Sequence, residues 1–362
     1  MLYFLLIAIL LLQLFSWLCS RGLFWLLQGY LKPAARRTVR WLVFGIGNGL
    51  LLLSLLRVWP GVFRLSAGWM VLLWYGVLTV CAVWLLHLLL RRRIAPARLG
   101  SLLRPLAAAL FMFLLGISVY NAYTPVVHHY RVAIDKPLPR PVRIGLASDT
   151  HLGVLFGARQ LDRLSAIMQR EQVDIILFPG DLMDDDTRAY RSENMQRHLQ
   201  QLRAPLGVYA TLGNHDLFGH QDAIRAELEA AGIRVLNDDV VRLDAGFWLV
   251  GRPDDLDRQR KSTAELLKSV DTREPVFLLD HRPTEIRLHQ ALPIDIQVSG
   301  HVHKGQVFPS NFIVDWIYDL SYGYQQRGLG HYFVTSGYGF WGVPFRLGSQ
   351  SEVMIIDVVG RY

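Results

Sequence analysis

Acidic residues are missing from the first 134 positions of this 362-residue chain, and Asp135 is the first to occur. Up to residue 140 that single acid stands against 15 Lys or Arg, a net +14, whereas the remainder carries 23 basic and 29 acidic residues, a net −6. The overall charge of +8 therefore describes neither part, and the C-terminal part lacks the basic footprint that nucleic-acid binding requires, so no nucleic-acid partner is expected. Cysteine is nearly absent as well: Cys19 and Cys81 both lie in apolar stretches, which excludes a disulfide framework and a thiolate zinc site and leaves two small hydrophobes. The lack of carboxylates near the N-terminus also argues against a transporter. Asn48 and His87 have no acidic partner there to relay an ion, and both read as helix-contact or interfacial residues.

What the first 125 residues do hold is four apolar runs, at 2–20, 41–56, 66–90 and 105–120. Each is at or near the roughly 17–25 residues that cross a bilayer as a helix. No basic stretch precedes the first run and no Ala-x-Ala site closes it, so an uncleaved anchor is expected rather than a signal peptide. The connecting segments 21–40 and 91–104 carry five arginines or lysines each, against Arg57 and Arg64 in the middle connection. The positive-inside tendency then puts the two Arg-rich segments in the cytoplasm and, with four crossings, the C-terminal part outside it. Three crossings would reverse that orientation.

Residues 126–141, with Pro137, Pro139 and Pro141, read as an extended linker, in which the adjacent His128 and His129 point different ways and make a poor metal pair. From residue 142 onward apolar strand-like runs alternate with amphipathic stretches at 160–171, 192–202 and 221–231, an α/β pattern. Chemistry-bearing residues follow the apolar runs. Asp149 and His151 come after 142–147, Asp181 after 173–178 and Asn214 after 207–212, with His281 and then His301 and His303 further on. Oxygen and nitrogen donors without cysteine suit Zn, Mn or Fe, and donors at the ends of neighbouring strands converge on one crevice.

The blocks Asp149-x-His151, Gly180-Asp181, Gly213-Asn214-His215-Asp216, His281 and Gly300-His301-x-His303, in this order, resemble the calcineurin-like metallophosphoesterase superfamily over residues 142–358. The final block, ending at Gln306, is similar to a bacterial membrane-anchored branch, with Lys304 where that branch has Gly. The resemblance implies a four-layer α/β (α+β) sandwich of two mixed sheets flanked by helices, here at 142–362, and the apolar runs place a transmembrane domain of about four helices before it at 1–125. It implies two divalent metal ions, of Mn, Zn or Fe. Asp149, His151 and His303 would bind the first, Asn214, His281 and His301 the second, and Asp181 both. His215 would be the general acid, oriented by Asp184. Two cations neutralise phosphoryl oxygens and lower the pKa of a shared water, which a repelled anionic nucleophile needs.

Other residues are weaker candidates. Lys304 could meet a substrate phosphate as a point charge or stand idle on the rim. Beyond Asp184, the acids Asp185 and Asp186 read as a solvated loop, and His198, His220, His289 and His331 as surface or rim residues. The stretch 308–345 carries twelve aromatic side chains; 331–336 within it and 353–359 beyond it read as strands, and 311–330 as an exposed insertion able to touch a bilayer. The expectation is a multi-pass protein of the bacterial inner membrane that hydrolyses a lipid-linked or membrane-proximal phosphate ester or pyrophosphate. A phosphodiesterase of soluble nucleotides or small phosphoesters with a mere anchor is the alternative. A non-catalytic membrane binding or sensory protein on the same fold is the alternative of another class. Oligomeric state is left open.

Overall fold

The computed structural model describes residues 2–28, 30, 32–59 and 61–361. Two compact units make up the chain, Met1–Val119 and Tyr120–Tyr362. The first holds helices α1 (Leu2–Leu26), α2 (Pro33–Leu55) and α3 (Val62–Leu90), and α4 (Pro96–Tyr123) runs from it into the second. All four are long and apolar enough to cross a membrane. They outrun the apolar stretches because the flanking arginines are good helix formers. Two of them begin on proline, whose missing N–H would have no intrahelical partner in the first turn anyway. The run expected from Pro105 begins instead at Pro96, with Pro105 inside the helix.

The second unit is a sandwich of two mixed six-stranded sheets. Its strands are β1 (Val126–Pro137), β2 (Val142–Leu146), β3 (Ile175–Pro179), β4 (Val208–Thr211), β5 (Arg234–Val235), β6 (Asp239–Leu243), β7 (Phe247–Arg252), β8 (Val276–Asp280), β9 (Ile296–Ser299), β10 (Gly323–Arg327), β11 (Gly330–Val334) and β12 (Glu352–Arg361). One sheet runs β1-β12-β2-β3-β4-β5 and the other β10-β11-β9-β8-β7-β6. Successive side chains on a strand face opposite ways. Ile175 and Leu177 of β3 therefore enter the core between the sheets with Phe277 and Leu279 of β8. Ile176 and Phe178 face outward onto Leu161 and Leu164 of helix Ala158–Arg170 and Leu228 of helix Gln221–Ala230. Across the other sheet, Val276 and Leu278 pack on Leu266 and Leu267. Strands buried on both faces read as unbroken apolar runs, which is why the sequence marks them so clearly.

Residues 126–141 are a correction to the linker reading. Most of that segment is β1, paired in parallel with β12 from Val126↔Glu352 to Ile134↔Gly360. Val132 and Ile134 are buried in the core, with Tyr130 packed beside them. The prolines do not prevent this, because β1 is an edge strand and only Pro137, at its end, lies within it. His128 and His129 do diverge, towards Glu352 at 3.5 Å and Glu171 at 2.8 Å. Two histidines read as surface residues are also buried: His289, with Nδ1 2.8 Å from Gln297 Oε1, and His331, with Nδ1 2.8 Å from the Tyr324 hydroxyl.

Candidate metal centre

The loops that leave β2, β3, β4, β8 and β9 meet at one end of the sandwich. Their backbones are unusual: Asp149, Asp181, His151, His301 and His303 all lie in the left-handed region, with φ of 52°, 53°, 43°, 69° and 49°. Non-glycine residues there cost on the order of 1 kcal/mol or more each, and such strain persists where the surroundings over-determine it. Two glycines allow the close approach. A Cβ on Gly213 would sit 2.2 Å from Asp181 Oδ1, and one on Gly300 would sit 2.2 Å from Asp149 Oδ2.

Two donor groups result. Asp149, His151 and His303 offer atoms within 4.8 Å of one another, as do Asp181, His281 and His301. Asn214 joins the second group, its Oδ1 3.2 Å from His281 Nε2. Asp181 faces both: its Oδ2 is 3.2 Å from His281 Nε2 and 3.8 Å from His151 Nε2, while Oδ1 accepts the backbone N–H of His215 at 2.8 Å. His281 donates Nδ1–H to the Pro179 carbonyl at 2.7 Å, a partner of the kind that directs Nε2 towards a metal.

The residues fit divalent cations. Asp149 Oδ2 and His151 Nδ1 are buried with no hydrogen-bond partner among the described residues, and an unpaired buried polar atom costs about 1–3 kcal/mol. Burial pushes the His151 pKa down to about 3 and that of His301 to about 2, so both are neutral ligands at neutral pH. Burial lifts Asp149 to about 6. Burial opposes the charged forms of Asp181 and His281 too, but their mutual attraction outweighs it. Asp181 is held well below the usual carboxylate range and His281 is pushed up to about 10. A cation binding between them would displace the His281 proton.

His215 stands at the edge of this cluster, its ring centroid 4.9 Å from that of His151. The hydrogen bond from Nδ1 runs to Asp185 Oδ1 at 2.5 Å, and Asp184, the expected orienting residue, lies in the same acidic group within 4.8 Å. Burial alone would lower the His215 pKa, but the Asp185 hydrogen bond and the charges of Asp181 and Asp185 raise it. Lys304 rests its ammonium 3.9 Å from the centroid of the Tyr322 ring.

Three supporting residues were not singled out from the sequence. Asp216, fully buried, accepts from the backbone N–H of Gly213, Leu182 and Met183 at 2.9, 3.2 and 3.0 Å and so ties the loops carrying Asp181 and Asn214 together. Asp280, next to His281, is buried against Arg252 and Arg260, each at 3.2 Å. Arg346 is fully buried and donates to His303 Nδ1 at 3.0 Å and to the carbonyls of Ser336 and Gly339 at 2.7 and 2.6 Å. Asp216 was visible inside its block, whereas Arg346 lies 43 residues beyond His303 with no local signal. Of the aromatic stretch, Tyr332, Tyr338 and Phe340 are core, while Trp341 is exposed, 6.0 Å from the His215 ring, across from the exposed Phe218 at 5.0 Å.

The sequence model of the family described as calcineurin-like phosphoesterase matches residues 142–305. An uncharacterized metallophosphoesterase of Aquifex aeolicus (strain VF5) is 31% identical over 244 residues, 65% of this chain and 92% of the relative. A second, from Helicobacter pylori (strain J99), is 30% identical over 276 residues, 74% of each chain. A transmembrane protein with metallophosphoesterase domain from Danio rerio is 29% identical over 255 residues, 65% of this chain and 57% of its own.

Proposed function

This chain belongs to the calcineurin-like phosphoesterase family and is a metal-dependent phosphoester hydrolase, and from that premise we propose that it holds two divalent ions and cleaves a lipid-linked or membrane-proximal phosphate ester or pyrophosphate. The observation that carries the dinuclear reading is the position of Asp181 between the two donor groups. Asp149, His151 and His303 would hold one ion and Asn214, His281 and His301 the other, with Asp181 facing both groups. The donor set suits Mn, Zn or Fe. Such a pair supplies charge against the phosphoryl oxygens and a water acidic enough to react at neutral pH. His215 keeps Nδ1 on Asp185, which leaves Nε2 to hold the proton that the departing oxygen takes. Asp181, bonded to the His215 backbone, fixes where that proton is offered.

Membrane association rests on α1–α4 and is supported by the relative named as a transmembrane protein. The arginines of segments 21–40 and 91–104 flank the α1–α2 and α3–α4 connections, which favours a cytoplasmic side for both and the opposite side for the catalytic unit. The exposed Phe218 and Trp341 beside His215 favour a substrate with an apolar part. The test is product release by full-length protein with Mn or Zn from phospholipids, lipid pyrophosphates and soluble nitrophenyl phosphoesters, with Asp181→Asn as control. Lipid turnover lost in Asp181→Asn supports the reading. Turnover of soluble esters alone reduces the helices to an anchor, and no mutant-sensitive turnover with metal bound overturns the enzymatic reading.

A further inference from the structure

We infer that the short helix Ser310–Ile317 is a bilayer-docking surface of the catalytic unit, inserting Phe312, Ile313, Trp316 and Ile317 into the lipid interface. The helix follows directly from the last ligand block. It is fixed to the unit by its other side, where Val314 and the C-cap residue Tyr318 pack on Ile286, Val302 and Leu320. Residues 312, 313, 316 and 317 recur at the spacing that makes one helical stripe. Their exposures are 62%, 53%, 87% and 59%, values that core-facing residues never show and that water disfavours for four large apolar side chains together. No basic residue lies on the helix, and its single acid, Asp315, is engaged by the Ser321 hydroxyl. Nothing on this stripe is therefore polar enough to make solvent a good neighbour. Trp316, the most exposed of the four, belongs to the residue type that favours the level of the headgroups.

Four helices of membrane-crossing length precede the unit, and only Thr124 and Pro125 separate the last of them from β1. A bilayer is thus covalently close at all times, whereas another protein would have to find the stripe by diffusion. The docked helix also bears on the metal centre, because Tyr318 at its C-terminal end lies with its ring 6.3 Å from that of His301. A stripe held at headgroup depth would bring the crevice to the level at which phosphate groups of lipids reside. The inference rests on the membrane association of the chain and not on the identity of the substrate, and its test reads no turnover.

The experiment uses full-length protein with Cys19→Ala and Cys81→Ala, carrying a nitroxide on Ile313→Cys or, as an exposed control, on Arg273→Cys, in nanodiscs of phosphatidylethanolamine and phosphatidylglycerol. Power saturation compares collision with oxygen, which partitions into lipid, against a nickel chelate, which stays in water. An oxygen-to-nickel ratio about tenfold higher at 313 than at 273 is expected for an interfacial helix. Equal ratios at the two sites overturn the inference. So does dipolar broadening between labels at 313, which would show a second copy covering the stripe. If the labelled background fails to fold, the quadruple replacement of the four stripe residues by Ser in the native-cysteine chain gives a second reading. It should lose binding of the stripe segment to photoreactive phospholipid several-fold while keeping metal content, and unchanged lipid labelling would overturn the proposal.

Discussion

The Nδ1 atom of His215 lies 2.5 Å from Oδ1 of Asp185, a residue thirty positions earlier that projects from the loop after β3. This pairing gives the candidate general acid a fixed ring orientation and a pKa above the ordinary histidine value, against the effect of burial. Because the raised pKa belongs to the group that must donate a proton, activity is fully present below it and falls as pH rises through it. Asp185→Asn removes a cause of the raised value, so the basic limb of the kcat profile should move to lower pH, with kcat down about tenfold to a hundredfold. Asp184→Asn should move the limb less. An unmoved limb in Asp185→Asn would assign the acid elsewhere.

Arg346 makes a second testable contact. Burial lowers its pKa to about 10, which still leaves it charged at neutral pH beside His303. Replacing it by Met leaves the Ser336 and Gly339 carbonyls without this donor, at a cost on the order of 3 kcal/mol, and frees the His303 ring. Metal affinity should fall about tenfold to a hundredfold, as when partners of metal ligands are removed elsewhere. Thermal unfolding and competition with a chelator would measure the two effects separately.

At Gly213 the expectation concerns space. An alanine Cβ there would meet Asp181 Oδ1 at 2.2 Å and its backbone nitrogen at 2.4 Å, so Asp181 must move. Gly213→Ala should lose bound metal and turnover together while the fold survives, as circular dichroism and metal analysis would reveal. Retention of both metals would mean that Asp181 does not join the two donor groups.

The pairing of β1 with β12 predicts where the catalytic unit can be cut. A fragment starting at residue 120 keeps β1, Ala122 and Tyr123, the last stacked edge-on against Phe340 at 5.3 Å. A fragment starting at 142 exposes β12 as a bare edge and removes Val132 and Ile134 from the core. The first should be monodisperse and the second aggregated, by size-exclusion chromatography.

The ligands were legible in the sequence because each follows a strand buried on both faces, so an unbroken apolar run points directly at Asp149, Asp181 or Asn214. β1 was not, although Tyr130, Val132 and Ile134 alternate correctly, because the nearby prolines outweighed a pattern that an edge strand tolerates. Asp184 was expected from the resemblance, whereas the contact of Asp185 with His215 depends on a loop with φ of 70° at Asp185, which residue spacing does not reveal. Arg346 could not be found at all: its role depends on burial against His303, a contact between segments 43 residues apart.

A dinuclear centre that drives phosphoester hydrolysis is tested by titrating metal-free full-length protein with Mn or Zn while following bound metal and turnover of a soluble nitrophenyl phosphodiester. Turnover should rise with the second equivalent bound, and Asp181→Asn should bind less metal and stay inactive. Full turnover after chelation, or saturation at one equivalent in both proteins, would contradict it.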